Sequence, residues 1–256
     1  MRVVRRALPP AILLIALLGA WELYVDLGGV DSLVLPAPHA VASSLWNDRS
    51  LLWSNFLVTA EEVLLGSALA VVLGFVLAVA IRFSNTLRAA LYPLLVGSQA
   101  VPVVIFAPVL ALWLGFGLGP KLVVIVLVSF FPVVVTTLSG FAAIDQDLLK
   151  LMNTFDATRL RAFWHVELPA TVPHVFTGAK IAVAVSVIGA VFAEWTGANS
   201  GLGYLLQQSL PQLLAARGVA SVVVLCLFAM SLFGLLAVAE RLTLPWAYPP
   251  REELSA

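Results

Sequence analysis

Residues 155–173 read FDATRLRAFWHVELPATVP. Two arginines, a histidine, a glutamate, an aspartate and two prolines stand here between long apolar runs. This interruption separates parts of the chain that suit lipid from a part that suits water. The whole sequence of 256 residues is 61% hydrophobic and 11% charged, with mean hydropathy +1.03. A soluble domain carries about 25% charged residues. So much apolar surface has no place in a water-soluble core, and the composition implies an all-α integral membrane protein, residues 1–256 forming a single transmembrane domain. Helices are required because hydrocarbon offers no partners for open backbone groups.

Six segments are apolar and long enough to span a bilayer: about 8–27, 56–81, 87–114, 120–141, 173–195 and 216–242. The first follows arginines, as a signal peptide would, but its apolar run continues through Tyr24 and reads as an uncleaved spanning helix. The third contains Pro93, Pro102 and Pro108 and is expected to kink or break near Val101-Pro102. With the N-terminus in the cytoplasm, the inner segments hold Arg2, Arg5, Arg6, Arg82, Arg88, Lys150, Arg159, Arg161, Arg241 and Arg251. The outer segments hold Arg49, Lys121 and Arg217. That ten-to-three bias puts both termini, and the loop over 142–172, in the cytoplasm.

The loop reads as two short helices. Asp145 is an N-cap, and Leu148, Leu149, Met152 and Phe155 follow as one apolar stripe. A turn falls at Asp156. Leu160, Phe163 and Trp164 then share a face, with Arg159 and Arg161 toward the other side. Leu168-Pro169 is expected to stop this helix, and Pro173 to sit in the first turn of the fifth span. On the residues alone, two readings stand: a connector lying on lipid headgroups, or a knob that fits another protein.

The stretch 150–169, KLMNTFDATRLRAFWHVELP, resembles the EAA loop of the permease subunits of bacterial ABC importers. Ala157, Phe163, Val166, Leu168 and Pro169 match that pattern. Lys150, Leu151 and Met152 stand where the family has Glu-Ala-Ala, and Asp156 where it has glycine. Asp tolerates a left-handed turn and can cap a following helix, so the turn can survive the change. LPAPHAV (35–41), SQAVPVVIFAPVLALWLGFGLGPK (98–121), FFPVVVTTLSGF (130–141) and IGAVFAEWTGANSGLGYLL (188–206) resemble the same family. They are most similar to its branch for sulfonates, taurine, nitrate and thiamine-precursor pyrimidines. The third span and the segment AEWTGANSGLGYLL look most like the pyrimidine members.

The resemblance implies a type I importer fold: six spans, a cytoplasmic coupling helix between spans four and five, and a permease homodimer. It implies two copies of a separate ATPase that carries ATP and magnesium, and an extracytoplasmic binding protein that delivers the substrate. The coupling residues it implies are Asp156, Ala157, Thr158, Arg159, Leu160, Arg161, Phe163, Trp164 and His165.

Other features weigh less. SGLGYLL (200–206) lacks a preceding strand and a third glycine, and reads as a tight outer turn rather than a dinucleotide site. Lys180 and Glu194 are charges within the fifth span, about 21 Å apart along a helix, too far to pair. Lys180 is expected to snorkel inward. Ser98, Gln99, Ser186 and Glu194 are candidates to line a polar pathway, although interhelical hydrogen bonding is the ordinary role of such hydroxyls and amides. Glu61 and Glu62 are adjacent on a helix and do not face each other. His39, His165 and His174 have no metal-ligand spacing, Cys226 stands alone in an apolar run, and the zero net charge gives no case for nucleic acid. No P-loop, Walker lysine or catalytic triad occurs, so neither a catalytic residue nor a cofactor is expected in this chain. A stand-alone secondary transporter is the alternative of another class; it calls for inverted internal repeats, and none is evident. A membrane-embedded enzyme would call for ionisable groups clustered at one depth.

Overall fold

The computed structural model describes residues 2–247, with the side chains of 2–7 and 103–104 outside the description. Arg2, Arg5, Arg6 and Arg251 of the charge-bias reading therefore lie outside the described side chains. Among the described residues every regular element is helical: α1 (Arg2–Gly28), α2 (Pro38–Asn47), α3 (Arg49–Phe83), α4 (Asn85–Ser98), α5 (Val103–Leu114), α6 (Leu118–Ala142), α7 (Gln146–Thr154), α8 (Arg159–Ala162), α9 (Leu168–Glu194), α10 (Leu202–Ser209) and α11 (Ala215–Thr243). A π-helical segment, Phe163–Glu167, joins α8 to α9, and a short 3₁₀ turn covers Pro245–Ala247.

Five of these helices, α1, α3, α6, the continuous run Arg159–Glu194, and α11, are long and apolar enough to cross a membrane. The sixth expected span is divided. α4 ends at Ser98, and α5 begins after Pro102, which is its N-cap in extended geometry. The break falls where Pro102 removes a backbone donor and forces Val101 away from helical geometry. Neither half alone reaches the length of about 20 residues that a bilayer core requires. By contrast α3, at 35 residues, is about 52 Å long and exceeds that core by several turns.

The chain gathers into two compact units, one of residues 1–59 with 199–226, the other of 60–198 with 227–256. In the first unit, Pro36 and Ala37 are buried in extended backbone and Pro38 opens α2 at a position where its missing N–H costs nothing. Val41 and Ser44 turn α2 inward. His39 ties α2 to α1: its backbone N–H donates to Glu22 Oε2 at 3.2 Å and its Nδ1 lies 2.5 Å from Glu22 Oε1. The start of α10 is capped from α3. Gly201 N–H donates to Asn55 Oδ1 and Leu202 N–H to Thr59 Oγ1, each at 2.8 Å. Gly201 has φ of 121°, which only glycine adopts readily. The motif SGLGYLL is therefore a helix start that relies on a neighbouring helix for its cap.

In the second unit α6 and α9 pack at close range through small residues. A Cβ at Gly178 would meet Thr136 Oγ1 and lie 2.8 Å from Val133 Cα; one at Gly189 would lie 3.3 Å from Ile125 Cα. Dispersion contacts of this kind replace the hydrophobic effect between helices in lipid. Ser186 donates to Ser129 Oγ at 2.9 Å or back to Ala182 O at 2.7 Å, wholly within this buried interface.

The hydrogen bond and charge of Glu22, with Asp26 adding to them, raise the His39 imidazole above its ordinary pKa of 6.5. A raised folded-state pKa stabilises below about pH 6.5 and the gain is lost as pH climbs through the raised value. Hydrogen-exchange protection factors of the α2 amides are expected to fall as pH rises from about 6.5. In His39→Gln they are expected to stay level, and an equal fall in that variant would contradict the assignment.

Candidate functional site

The polar interruption at 145–169 forms a helical knob on the second unit. Asp145 begins α7 as expected, its side chain accepting from Asp147 N–H at 2.9 Å. α7 ends in a left-handed turn. Asp156 has φ of 52°, Asp156 N–H donates to Asn153 O, and Ala157 N–H donates to Met152 O. This pair of bonds is the Schellman arrangement, which needs one residue in left-handed geometry just past the helix. Asp is among the few side chains that tolerate it. Asp156 does not cap the next helix; Thr158 does, its Oγ1 accepting from Arg161 N–H at 3.3 Å.

The expected stop at Leu168-Pro169 does not occur. α8 runs through the π segment into α9 without a break, and Pro173 lies five residues inside α9 instead of near its start. Pro169 has no N–H for His165 O, and its ring would press on that carbonyl in a regular helix. The wider π turn, in which Leu168 N–H reaches back to Phe163 O, accommodates the proline without ending the helix.

The π segment also carries the main anchor. Glu167 is buried, and both its oxygens are held by Arg82 at the end of α3: Nε to Oε2 at 2.8 Å, Nη2 to Oε1 at 2.7 Å. This is the bidentate geometry that suits guanidinium and carboxylate planes. Arg159 adds a second tie to the same helix end. Its Nη2 donates to Arg82 O at 3.1 Å, and its guanidinium sits 5.0 Å above the Phe83 ring. Below them Phe163 packs on Phe83 and Phe141, with ring centroids 5.1 and 6.0 Å away, and Ile144 completes the buried cluster.

These contacts divide the candidate residues in two. Phe163, 5% exposed, faces inward. It does not share the outer face with Leu160 and Trp164, because it packs inward on Phe83 and Phe141. Arg159 is engaged with α3. Leu160 (59% exposed), Trp164 (58%) and Phe155 (73%) form an apolar crest open to the surroundings. Asp156, Thr158, Arg161 and His165 are exposed beside them, and Ala157 is half-buried. His165 Nδ1 lies 3.0 Å from Arg161 O. Lys150 pairs with Asp147 at 2.7 Å, a surface contact of little energetic weight. Leu149 and Met152 of the expected stripe are half-buried, whereas Leu148 is exposed.

The pathway candidates are not brought together. Ser98 and Gln99 are exposed at the α4–α5 break, where Ser98 donates to Leu95 O at 2.7 Å. Ser186 is sealed between α6 and α9. Glu194 is fully buried, and its carboxyl stands near that of Glu62, which Lys121 holds at 2.5 Å. Lys180 does not snorkel; it reaches Glu240 on α11 at 2.7 Å. Sequence reading missed Glu62, Lys121, Glu167 and Glu240 as partners, since each pair joins residues 59 to 85 positions apart.

Two cavities accompany these elements. One in the first unit, about 400 Å³, has the neutral polar lining Ser54, Asn55, Asn199, Ser200, Gln208 and Gln212; its one arginine, Arg217, is paired with Asp48 at 2.8 Å. That pairing, chiefly its hydrogen bond, holds the Asp48 carboxyl below the usual range. The other, of about 370 Å³, lies in the second unit beside Arg82. Glu22, Asp26 and His39 bring donor atoms within 4.8 Å of one another, a cluster the His-spacing argument overlooked, but Glu22 and His39 already satisfy each other.

Five helices long and apolar enough to cross a membrane, in an all-helical chain, define an integral membrane protein of the multi-pass kind. The chain belongs to the family of binding-protein-dependent transport system inner membrane components, whose model matches residues 70–241. It is thus a multi-pass transport permease with the architecture of type I importers. It is 40% identical over 201 residues to a probable ABC transporter permease protein of Haemophilus influenzae, covering 78% of this chain and 82% of that one. It is 34% identical to the formylaminopyrimidine transport permease protein ThiX of Halalkalibacterium halodurans (94% and 96% covered) and 29% identical to the taurine transport system permease protein TauC of Escherichia coli (91% and 87%). The fold is similar to the crystal structure of an amino acid ABC transporter with histidines, with TM-score 0.61 and 14% identity over 77% of this chain and 96% of that one.

Removing Arg82 leaves the Glu167 carboxylate buried without its partner. Arg82→Ala is expected to destabilise the protein by about 2–3 kcal/mol, between the surface and fully buried limits. The double variant Arg82→Ala with Glu167→Gln is expected to recover much of that loss, measured by thermal unfolding of the detergent-solubilised chain. Equal and small effects of all variants would show that the pair carries no load.

Proposed function

We propose that this chain is the membrane subunit of an ATP-driven importer and that the knob 145–169 is where a separate ATPase subunit drives it. The carrying observation is the apolar crest: Leu160 and Trp164 are exposed on a helix whose other side is pinned to α3 and which continues into α9, and Phe155 is exposed at the end of α7. Isolated exposed apolar residues are ordinary, but three large ones on a braced projection suit insertion into a groove of another protein. Asp156, Thr158, Arg161 and His165 form the polar rim of that surface; Phe163 and Arg159 hold it in shape. Two copies of the chain make the pathway, two ATPase subunits bind ATP and magnesium and grip the knobs, and an extracytoplasmic protein delivers the substrate. The knob and both termini face the cytoplasm.

The 400 Å³ cavity bears on the cargo. Its amides and hydroxyls offer both donors and acceptors, and its arginine is already neutralised by Asp48. Such a lining suits a neutral, hydrogen-bonding heterocycle better than an anion, whose desolvation needs an unpaired cation. This supports a pyrimidine of the thiamine-precursor type over sulfonate, taurine or nitrate, in keeping with the likeness to the formylaminopyrimidine permease.

Co-purification with the ATPase subunit tests the proposal. Wild-type chain is expected to retain it. Leu160→Glu and Trp164→Glu, which place charge on the crest without touching the anchor, are expected to weaken retention about tenfold or more. Full substrate accumulation by this chain alone in liposomes would contradict an ATP-driven subunit and favour a secondary transporter.

A further inference from the structure

The second cavity, about 370 Å³, opens beside the knob and is lined by Arg82, Asn85, Arg88, Tyr92, Ser139 and Gln146 with apolar neighbours. It draws on the end of α3, the start of α4, the end of α6 and the first residue of α7. Its charge is lopsided. Arg82 uses Nε and Nη2 on Glu167, so that pair is neutral as a whole. Among the described residues the Arg88 guanidinium has no ion pair or side-chain hydrogen bond; only its backbone N–H is engaged, with Ser84 O, and the exposed side chain brings a positive charge to the lining. No acidic side chain lines the cavity. The other polar groups are neutral, and Asn85, Tyr92 and Gln146 can each donate through a side-chain N–H or O–H. α4 adds the positive end of a 14-residue helix, whose first turn begins at Asn85. A cation at the edge, several neutral donors and no carboxylate make a site for an oxyanion, and the volume admits a phosphate with part of its ester.

We propose that this cavity binds a phosphate group, as the headgroup of an anionic phospholipid or as free phosphate. Arg88 supplies the charge, and Asn85, Tyr92 and Gln146 supply oriented donors. The occupant bridges α4 to the first turn of α7, so it ties the α4 helix to the knob at the point where Arg82 already ties α3 to it. The inference rests on the cavity and its charge, not on transport, and its failure leaves the importer reading intact.

The test uses the full chain purified in detergent. Native mass spectrometry measures retention of added phosphatidylglycerol against phosphatidylcholine, and calorimetry measures uptake of inorganic phosphate. Wild type is expected to hold phosphatidylglycerol about tenfold more tightly than phosphatidylcholine. Arg88→Gln is expected to lose that preference, and Tyr92→Phe, which removes a single hydroxyl, to weaken it a few-fold. Phosphatidylglycerol retained without uptake of inorganic phosphate identifies a lipid headgroup. Inorganic phosphate taken up by wild type and not by Arg88→Gln identifies a free-phosphate site. Neither ligand held above phosphatidylcholine, or both variants binding like wild type, overturns the proposal.

Discussion

The bidentate pair between Arg82 and Glu167 fixes how the polar segment of this chain is attached to its membrane helices. Glu167 is buried in a π turn, where a carboxylate without a partner is strongly disfavoured. Arg82 answers both oxygens, and because it ends α3, the compensation is also a mechanical tie. The Arg159 guanidinium on Phe83 and the Phe163 ring between Phe83 and Phe141 close the joint from either side. A displacement of α7 or α8 therefore has two rigid outlets, α3 through the bracket and α9 through the unbroken helix.

The same rule governs the other buried charges. Lys121 meets Glu62 and Lys180 meets Glu240, so each basic group at depth has an acidic partner on another helix. These pairs set which helices are neighbours and at what rotation, while the small residues of α6 and α9 set how closely they approach. Ser186, one of the pathway candidates, joins α9 to α6 through Ser129, the ordinary role of such hydroxyls.

What the sequence made legible is whatever depends on near neighbours. Hydropathy located five of the six expected spans, Pro102 located the break in the other, and the left-handed turn at Asp156 was legible through the resemblance, since that family has glycine there. The reading failed where a distant residue decides the outcome. Pro169 reads as a helix stop by a local rule, yet the π widening absorbs it, and Arg82, 85 positions before Glu167, holds the widened turn through that residue. Phe163 reads as equivalent to Leu160 and Trp164 by local spacing, whereas Phe83 and Phe141, distant in sequence, take it inward. The capping of α10 by Asn55 and Thr59 was invisible for the same reason, since the partners stand 146 and 143 positions apart. The polar cavities, each assembled from several helices, leave no linear pattern at all.

If the knob is driven as proposed, the Arg82–Glu167 bracket transmits force as well as stability, and coupling efficiency tests this directly. In proteoliposomes holding the permease with the proposed ATPase subunit and loaded binding protein, substrate moved per ATP hydrolysed is to be compared among wild type, Arg82→Gln and the exchanged pair Arg82→Glu with Glu167→Arg. The ratio is expected to fall several-fold in Arg82→Gln while the ATPase stays bound, and to return in part in the exchanged pair. An unchanged ratio in a fully assembled Arg82→Gln complex would contradict the account.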